Sequence, residues 1–157
     1  MQKLQRQTDN KRKKIRENLY VKEQIKASHD REIRNFMGEK YEKTIEGKTF
    51  PNERDLYNLQ NTRVVNCRFE GKADGESALK ECRNVCVQDC FMDLRYPLWH
   101  AQNFELLSSE QTENCRAALW YSHHGKIADC KLNGIKVLRE CSDVQVQDCT
   151  SNSTEFG

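Results

Sequence analysis

The sequence predicts an all-β fold, a right-handed, single-stranded parallel β-helix of about five coils, preceded by a charged helical segment. Three observations predict this fold. A pattern of leucine, seven residues, an aliphatic residue, two residues and then cysteine or serine occurs five times. Asparagine or aspartate recurs at two fixed places in the pattern, and apolar residues alternate with polar ones between those places. Together they place the β-helix in residues 56 to 157.

Each coil of the predicted β-helix begins at a leucine: Leu56, Leu79, Leu98, Leu119 and Leu138. The leucines are 23, 19, 21 and 19 residues apart, whereas the block from leucine to cysteine keeps its length. Length changes therefore fall between blocks, as they do in the loops of a solenoid. The aliphatic column is Val64, Val87, Leu106, Ile127 and Val146, and the cysteine column is Cys67, Cys90, Ser109, Cys130 and Cys149. Leucine-rich repeats need more leucines per unit and helical repeats need longer units, so both are disfavoured.

Two polar columns predict where each coil turns. The first is Asn61, Asn84, Asn103, His124 and Asp143, and the second is Asn66, Asp89, Ser108, Asp129 and Asp148. Asparagine and aspartate tolerate left-handed backbone and bond to neighbouring backbone groups, so we expect ladders at two corners. The carboxylates of Asp89, Asp129 and Asp148 also suggest acid–base catalysis. Because Asn66 and Ser108 share their column, a structural corner explains it better.

The N-terminal part of the chain is basic. Residues 1–36 contain 11 Lys and Arg against 5 Asp and Glu, whereas the remainder is acidic by four charges. Such a basic segment can contact nucleic acid, but its acids are interleaved and its apolar pairs, Ile15/Leu19 and Val21/Ile25, form only a narrow stripe. We therefore expect a solvated helical or disordered extension over residues 1–40, with nucleic-acid binding disfavoured, and the β-helix domain over residues 41–157.

The eight cysteines are expected to be reduced thiols. No apolar run approaches the length of a membrane span and the N-terminus lacks the apolar core of a signal peptide, so we predict a cytoplasmic protein without a membrane partner. Cys67/Cys90 and Cys130/Cys149 fall on adjacent coils, where disulfides are possible but stacked thiols are favoured. No CxxC pair occurs, and neither a metal nor a cofactor is predicted. Cys86, between two inward valines, is expected to face solvent and to be the most reactive thiol.

The candidate binding surface is an outer column with two tryptophans. Its members are Tyr57, Lys80, Trp99, Trp120 and Arg139, each one residue after a coil leucine. If the leucines point inward, strand alternation sends these residues outward and stacks the tryptophans on neighbouring coils. The proposed ligand-binding residues are Arg95, Trp99, His100, Arg116, Trp120 and Tyr121. Aromatic rings beside cations suit a sugar or an acidic glycan, and the alternative is structural packing of the aromatics beneath another segment.

Four segments carry a resemblance to a known family: GESALKECRNVCVQDC (75–90), RYPLWH (95–100), RAALWY (116–121) and GIKVLREC (134–141). They resemble the DUF3737 family, bacterial proteins of unknown function, over residues 41 to 157. The resemblance implies a pectin-lyase-like right-handed β-helix and supplies no catalytic residues. Family members generally continue for many more coils, so it also implies that this chain is the N-terminal part of the family domain. We then expect a poorly covered last coil at Val144, Val146 and Cys149, and self-association through it.

These observations favour a β-helix scaffold or binding module that does not catalyse a reaction and whose ligand is a saccharide. The alternative is a carbohydrate-active enzyme, of lyase, hydrolase or isomerase type, or a fragment of one. Both hypotheses use the same outer face, and a fold of this kind supports either.

Overall fold

A computed structural model describes residues 2–36, 40–71 and 75–153, and the side chains of these residues except 27–36. The chain divides into two units, residues 1–40 and residues 41–157. The first unit contains α1 (Gln2–Phe36), and the side chains of residues 2–26 are all exposed. Ile15 and Leu19, for example, are each 55% exposed, so the apolar stripe has no covered face within that stretch. No helix in the described part of the chain is long and apolar enough to cross a membrane.

The second unit is a parallel β-solenoid of about five turns, as the repeat predicts. Its first sheet has six strands: β1 (Lys43–Glu46), β2 (Gln60–Val65), β4 (Arg83–Gln88), β6 (Gln102–Leu107), β8 (His123–Ala128) and β10 (Ser142–Gln147). Its second sheet has four short strands: β3 (Arg68–Phe69), β5 (Phe91–Met92), β7 (Glu110–Gln111) and β9 (Lys131–Leu132). Each strand pairs in parallel with the matching strand of the next coil. Strand β1 is an additional rung before the first leucine, which the repeat does not predict because β1 has no leucine or cysteine of the pattern.

The two predicted corners are confirmed. All five residues of the first corner column have left-handed backbone, with φ between 49° and 56°, and those of the second have φ between 46° and 56°. Side chains connect neighbouring coils at the first corner, where Asn84 Nδ2 donates to Asn61 Oδ1 at 2.8 Å. His124 Nδ1 lies 2.6 Å from Asp143 Oδ2 at the same corner, between the fourth and fifth coils. Because the left-handed backbone explains Asp89, Asp129 and Asp148, each of these residues has a structural role at the corner of its coil.

The third side of each coil departs from the predicted strand. The leucines are buried there, with Leu79, Leu98 and Leu119 each 0% exposed, but the segments around them are turns. In RYPLWH, Tyr96, Leu98 and His100 have φ of 56°, 57° and 58°. The amides of Tyr96 and His100 bond to carbonyls of the following coil at 3.0 and 2.7 Å, and the amide of Leu98 bonds to the preceding coil at 2.9 Å. Alternating left-handed residues therefore give this side its inter-coil hydrogen bonds, and in RYPLWH no glycine or asparagine signals them.

The cysteine column takes part in the backbone hydrogen bonding of the interior. The amide of Cys67 donates to Cys90 Sγ at 3.4 Å, and the amide of Cys90 donates to Ser109 Oγ at 3.1 Å. The hydroxyl of Ser109 donates to the carbonyl of Leu107 at 2.8 Å, and the thiols of the column make the same bond two residues back. All eight cysteines are free thiols. Serine therefore replaces cysteine in this column because both side chains satisfy the same pair of backbone groups.

The expectation that Cys86 faces solvent is wrong. Its side chain is only 3% exposed, although it leaves β4 on the outer face of the sheet between Arg63 and Glu105. Tyr41 covers this position, and its hydroxyl donates a hydrogen bond to Glu105 Oε2 at 3.0 Å. Burial, and then the charge of Glu105, raise the pKa of the Cys86 thiol to about 11. The alternation of residues in β4 was predicted correctly, but the segment that covers it was not.

Candidate functional site

Trp99 and Trp120 stack on neighbouring coils, as their spacing predicts. Their ring centroids are 5.2 Å apart and their planes differ by 11°. Both tryptophans follow a buried leucine, so the turn that points Leu98 and Leu119 inward points the indoles outward. Each indole is nevertheless half-buried, because its neighbours in the column lie against it. Stacked aromatic pairs add stabilisation beyond the area they bury.

A cation covers each end of the indole pair. Lys80 Nζ lies 4.5 Å from the ring centroid of Trp99, and the guanidinium carbon of Arg139 lies 4.6 Å from that of Trp120. We call this column, Lys80–Trp99–Trp120–Arg139, the tryptophan ladder. Since each indole has a neighbour on the preceding and on the following coil, both of its faces are in contact. A sugar that stacks on an indole face must first displace Lys80 or Arg139.

The residues that follow the ladder form polar pairs at the surface. His100 Nδ1 lies 2.8 Å from Glu81 Oε2, which joins two consecutive coils. A hydrogen bond to Glu140 raises the pKa of the Tyr121 hydroxyl above its ordinary value. The Tyr121 ring is also parallel to Trp120, with centroids 5.2 Å apart. His100 and Tyr121 therefore each bind a glutamate that occupies the equivalent position in a neighbouring coil. These two contacts explain why Glu81 and Glu140 can lie beside aromatic residues.

Arg95 and Arg116 line a cavity of about 480 Å³, which we call the arginine groove. Arg95 Nη2 lies 3.4 Å from Glu76 Oε2, an ion pair between consecutive coils. Arg116 is exposed and makes no ion pair with any residue in the described ranges. Glu113 and Asn114 also line the groove. The groove thus holds one guanidinium that is already paired and one that has no ion-pair partner among the described residues.

Asp93 lies in the same groove and was not predicted as a site residue. Its Oδ1 accepts hydrogen bonds from Thr112 Oγ1 at 2.6 Å and from Asn114 Nδ2 at 2.8 Å. These bonds lower the pKa of the Asp93 carboxyl below its ordinary value, so the group is a carboxylate at neutral pH. Sequence reasoning missed it because Asp93 falls in the stretch of variable length between blocks. The sequence does contain a signal for this contact. Asp93 and Thr112 are 19 residues apart, which equals two of the leucine spacings and predicts that they stack on neighbouring coils.

The arginine groove and the tryptophan ladder lie on one continuous surface. The guanidinium of Arg95 is 6.0 Å from the ring centroid of Tyr96, and the Tyr96 ring is 5.7 Å from that of Trp99. The six predicted residues therefore divide between two features. Arg95 and Arg116 line the groove, whereas Trp99, His100, Trp120 and Tyr121 belong to the ladder or to the pairs beside it.

A metal-dependent site has no support in the described part of the chain. No three or more histidine, cysteine, aspartate or glutamate side chains come together there in a way that could hold a metal ion. The corner carboxylates Asp89 and Asp129 border a second cavity, of about 390 Å³, together with Lys131. Their left-handed backbone already accounts for them, so the arginine groove is the better candidate site.

Comparisons with known proteins give a family without an activity. No curated protein and no protein of solved structure matches the chain. The family model of DUF3737, described as a protein of unknown function, matches residues 43–157. The match begins at the first residue of β1 and includes both the groove and the ladder. The chain therefore belongs to the DUF3737 family.

Proposed function

We propose that the solenoid is a binding module for an acidic saccharide, without catalytic activity of its own. The observation that carries the proposal is the exposed guanidinium of Arg116, which has no ion-pair partner among the described residues and lies beside Arg95 in the arginine groove. Arginine binds carboxylates through two parallel hydrogen bonds, so a uronate carboxylate suits this position. Neighbouring coils of a parallel solenoid are about 4.8 Å apart, which lets both arginines contact one ligand.

The tryptophan ladder contributes to this surface in a different way from a stacking platform. Because Lys80 and Arg139 cover the outer faces of the indole pair, only ring edges remain for a ligand. Aromatic edges and nearby cations favour an anionic ligand over a neutral sugar that stacks by its ring. The covered faces thus support a preference for acidic over neutral saccharides.

The proposal is tested by calorimetric titration of the full chain with oligomers of galacturonic acid and with matching neutral galactose oligomers. We expect the acidic oligomer to bind and the neutral oligomer to bind at least tenfold more weakly. Arg116→Gln is expected to weaken acidic binding by about tenfold or more, since it removes a charge-assisted hydrogen bond. The matched control is Arg83→Gln, which removes an exposed arginine at the start of β4. Equal binding of both oligomers, or equal effects of the two substitutions, contradicts the proposal.

A carbohydrate-active enzyme is the second candidate, and one observation favours it. Asp93 is held as a carboxylate beside two arginines, an arrangement in which a base can act on a substrate whose own carboxylate is neutralised. Product analysis of the same oligomers separates the two functions. Loss of substrate that disappears in Asp93→Asn supports the enzyme, and binding without any product supports the module.

A further inference from the structure

Tyr41 connects the beginning of the solenoid to its third coil. It precedes β1 by two residues, and its hydroxyl reaches Glu105 on β6, 64 positions further along the chain, at 3.0 Å. Between them lies Cys86 on β4, whose register partners are Arg63 on β2 and Glu105 on β6. Tyr41 is half-buried and Cys86 is 3% exposed. The tyrosine therefore lies over a row of three side chains on the outer face of the first sheet, of which the middle one, Cys86, is buried.

The segment that contains Tyr41 is weakly held. Among the described strands, β1 pairs only with β2, and of its four side chains only Ile45 is partly buried. Two backbone hydrogen bonds flank the strand. The amide of Glu42 donates to the carbonyl of Asn61 at 2.7 Å, and the amide of Gly47 donates to the carbonyl of Val65 at 3.1 Å. Short edge strands with exposed side chains open at low cost in free energy. Residues 41–46 are therefore an edge segment of the solenoid that few described contacts hold in place.

The strand that carries Cys86 does not depend on this segment for its pairing or its buried side chains. Val85 and Val87, on either side of Cys86, are each 0% exposed and point to the interior. Their strand β4 is paired on one side with β2 and on the other with β6. Lifting residues 41–46 away from the outer face leaves these pairings in place.

We propose that residues 41–46 form a releasable strap, latched by the Tyr41–Glu105 hydrogen bond, whose release uncovers Cys86 between Arg63 and Glu105 while the coils stay folded. In the latched state Cys86 is buried, whereas Arg63 and Glu105 on either side of it are partly exposed. In the released state the row presents a cation, a thiol and a carboxylate on three neighbouring strands. The strap is thus a conformational device that exposes one defined face of the first sheet.

The test uses iodoacetamide, which converts an exposed thiol to a thioether with loss of iodide and a proton, on the full chain under native conditions. Labelling of each cysteine is followed by peptide mass spectrometry. Cys82 is 0% exposed and reports global unfolding. We expect Cys86 to be labelled faster than Cys82 in the wild type. Tyr41→Phe keeps the ring and removes the hydroxyl, and it is expected to raise the Cys86 rate by about ten- to a hundredfold without changing the Cys82 rate.

Tyr57→Phe is the matched control, because Tyr57 is 56% exposed and lies outside the strap. It is expected to leave both labelling rates unchanged. Equal rates for Cys86 and Cys82 in the wild type mean that the face opens only by global unfolding and overturn the proposal. A Tyr41→Phe variant in which the ratio of the two rates stays at its wild-type value overturns it as well.

Discussion

The ring of Phe104 occupies the space that a side chain would fill at Gly125, its register partner on the next coil. A Cβ added to Gly125 would come within 2.1 Å of Phe104 Cζ. Phe104 is 2% exposed, so the ring lies inside the solenoid and uses the gap left by the glycine. The inward column around it contains Thr62, Val85, Phe104, Gly125 and Val144. One large and one small residue on adjacent coils thus keep the total volume of the column close to that of valines.

Gly125→Ala is expected to destabilise the solenoid by about 1–3 kcal/mol, because the new methyl group overlaps the Phe104 ring in a packed interior. The free energy of unfolding from urea denaturation measures the effect. Phe104→Leu removes part of the ring, and the double variant Phe104→Leu/Gly125→Ala is expected to be more stable than the sum of the single effects predicts. Additive single and double effects contradict a direct clash between the two positions.

Gln111→Leu is expected to stabilise the protein by about 1–2 kcal/mol, because it removes a buried polar group that is poorly satisfied. Gln111 is 0% exposed, its Oε1 has no hydrogen-bond partner among the described residues, and its Nε2 contacts Met92 Sδ at 3.6 Å. Thermal unfolding provides the measurement. Gln145→Leu, at an exposed position of β10, serves as the control and is expected to change stability by less than about 0.5 kcal/mol. A Gln111→Leu variant less stable than the wild type contradicts the interpretation.

Leu98→Ala and Leu119→Ala are each expected to cost about 2–5 kcal/mol, because each removes a fully buried side chain between stacked coils. Leu138→Ala, at a half-buried leucine of the last coil, is the matched comparison and is expected to cost less. Chemical denaturation of the three variants measures the difference. A cost below about 0.5 kcal/mol at Leu98 or Leu119 means that the leucine column does not face the interior.

Stability is expected to fall as the pH rises from about 9 to 11. Burial raises the pKa of Cys90, Cys115 and Cys130 to about 11 each, above the ordinary thiol value of 9.0. Because the unfolded thiols lose their protons first, the unfolded state binds fewer protons in this range, and the free energy of unfolding decreases with pH. The contribution is fully present below pH 9 and is lost through pH 11. Urea denaturation at a series of pH values measures the slope.

Cys90→Ser is the informative variant for this pH dependence. Serine is already present in the column at position 109, where it makes the hydrogen bonds that the thiols make elsewhere. The variant is expected to stay folded and to show a shallower decline between pH 9 and 11, since one titrating thiol is gone. An unchanged slope indicates that the buried thiols are not the source of the pH dependence.

The sequence predicts the coils, their corners and the ladder because these features repeat at constant positions. The residue type of Asn61 and Asn66 predicts their left-handed backbone. The stacking of Trp99 on Trp120 is predicted because each follows a coil leucine by one residue. Residue type failed at Leu98, whose left-handed backbone depends on hydrogen bonds between coils and not on its own preference. It also failed at Cys86, where a tyrosine 45 residues earlier covers an outward side chain. Both failures involve contacts between segments far apart in the chain.

The measurement that tests the proposed function most directly is an NMR titration with galacturonic acid oligomers, which follows the arginine Nε–H and tryptophan Nε1–H signals of the full chain. The account predicts that the signals of Arg95 and Arg116 shift first and saturate together, whereas the indole signals of Trp99 and Trp120 move little because their faces stay covered by Lys80 and Arg139. Large shifts of both indole signals, with the two arginine signals unmoved, contradict the account and identify the ladder as the sugar-binding surface.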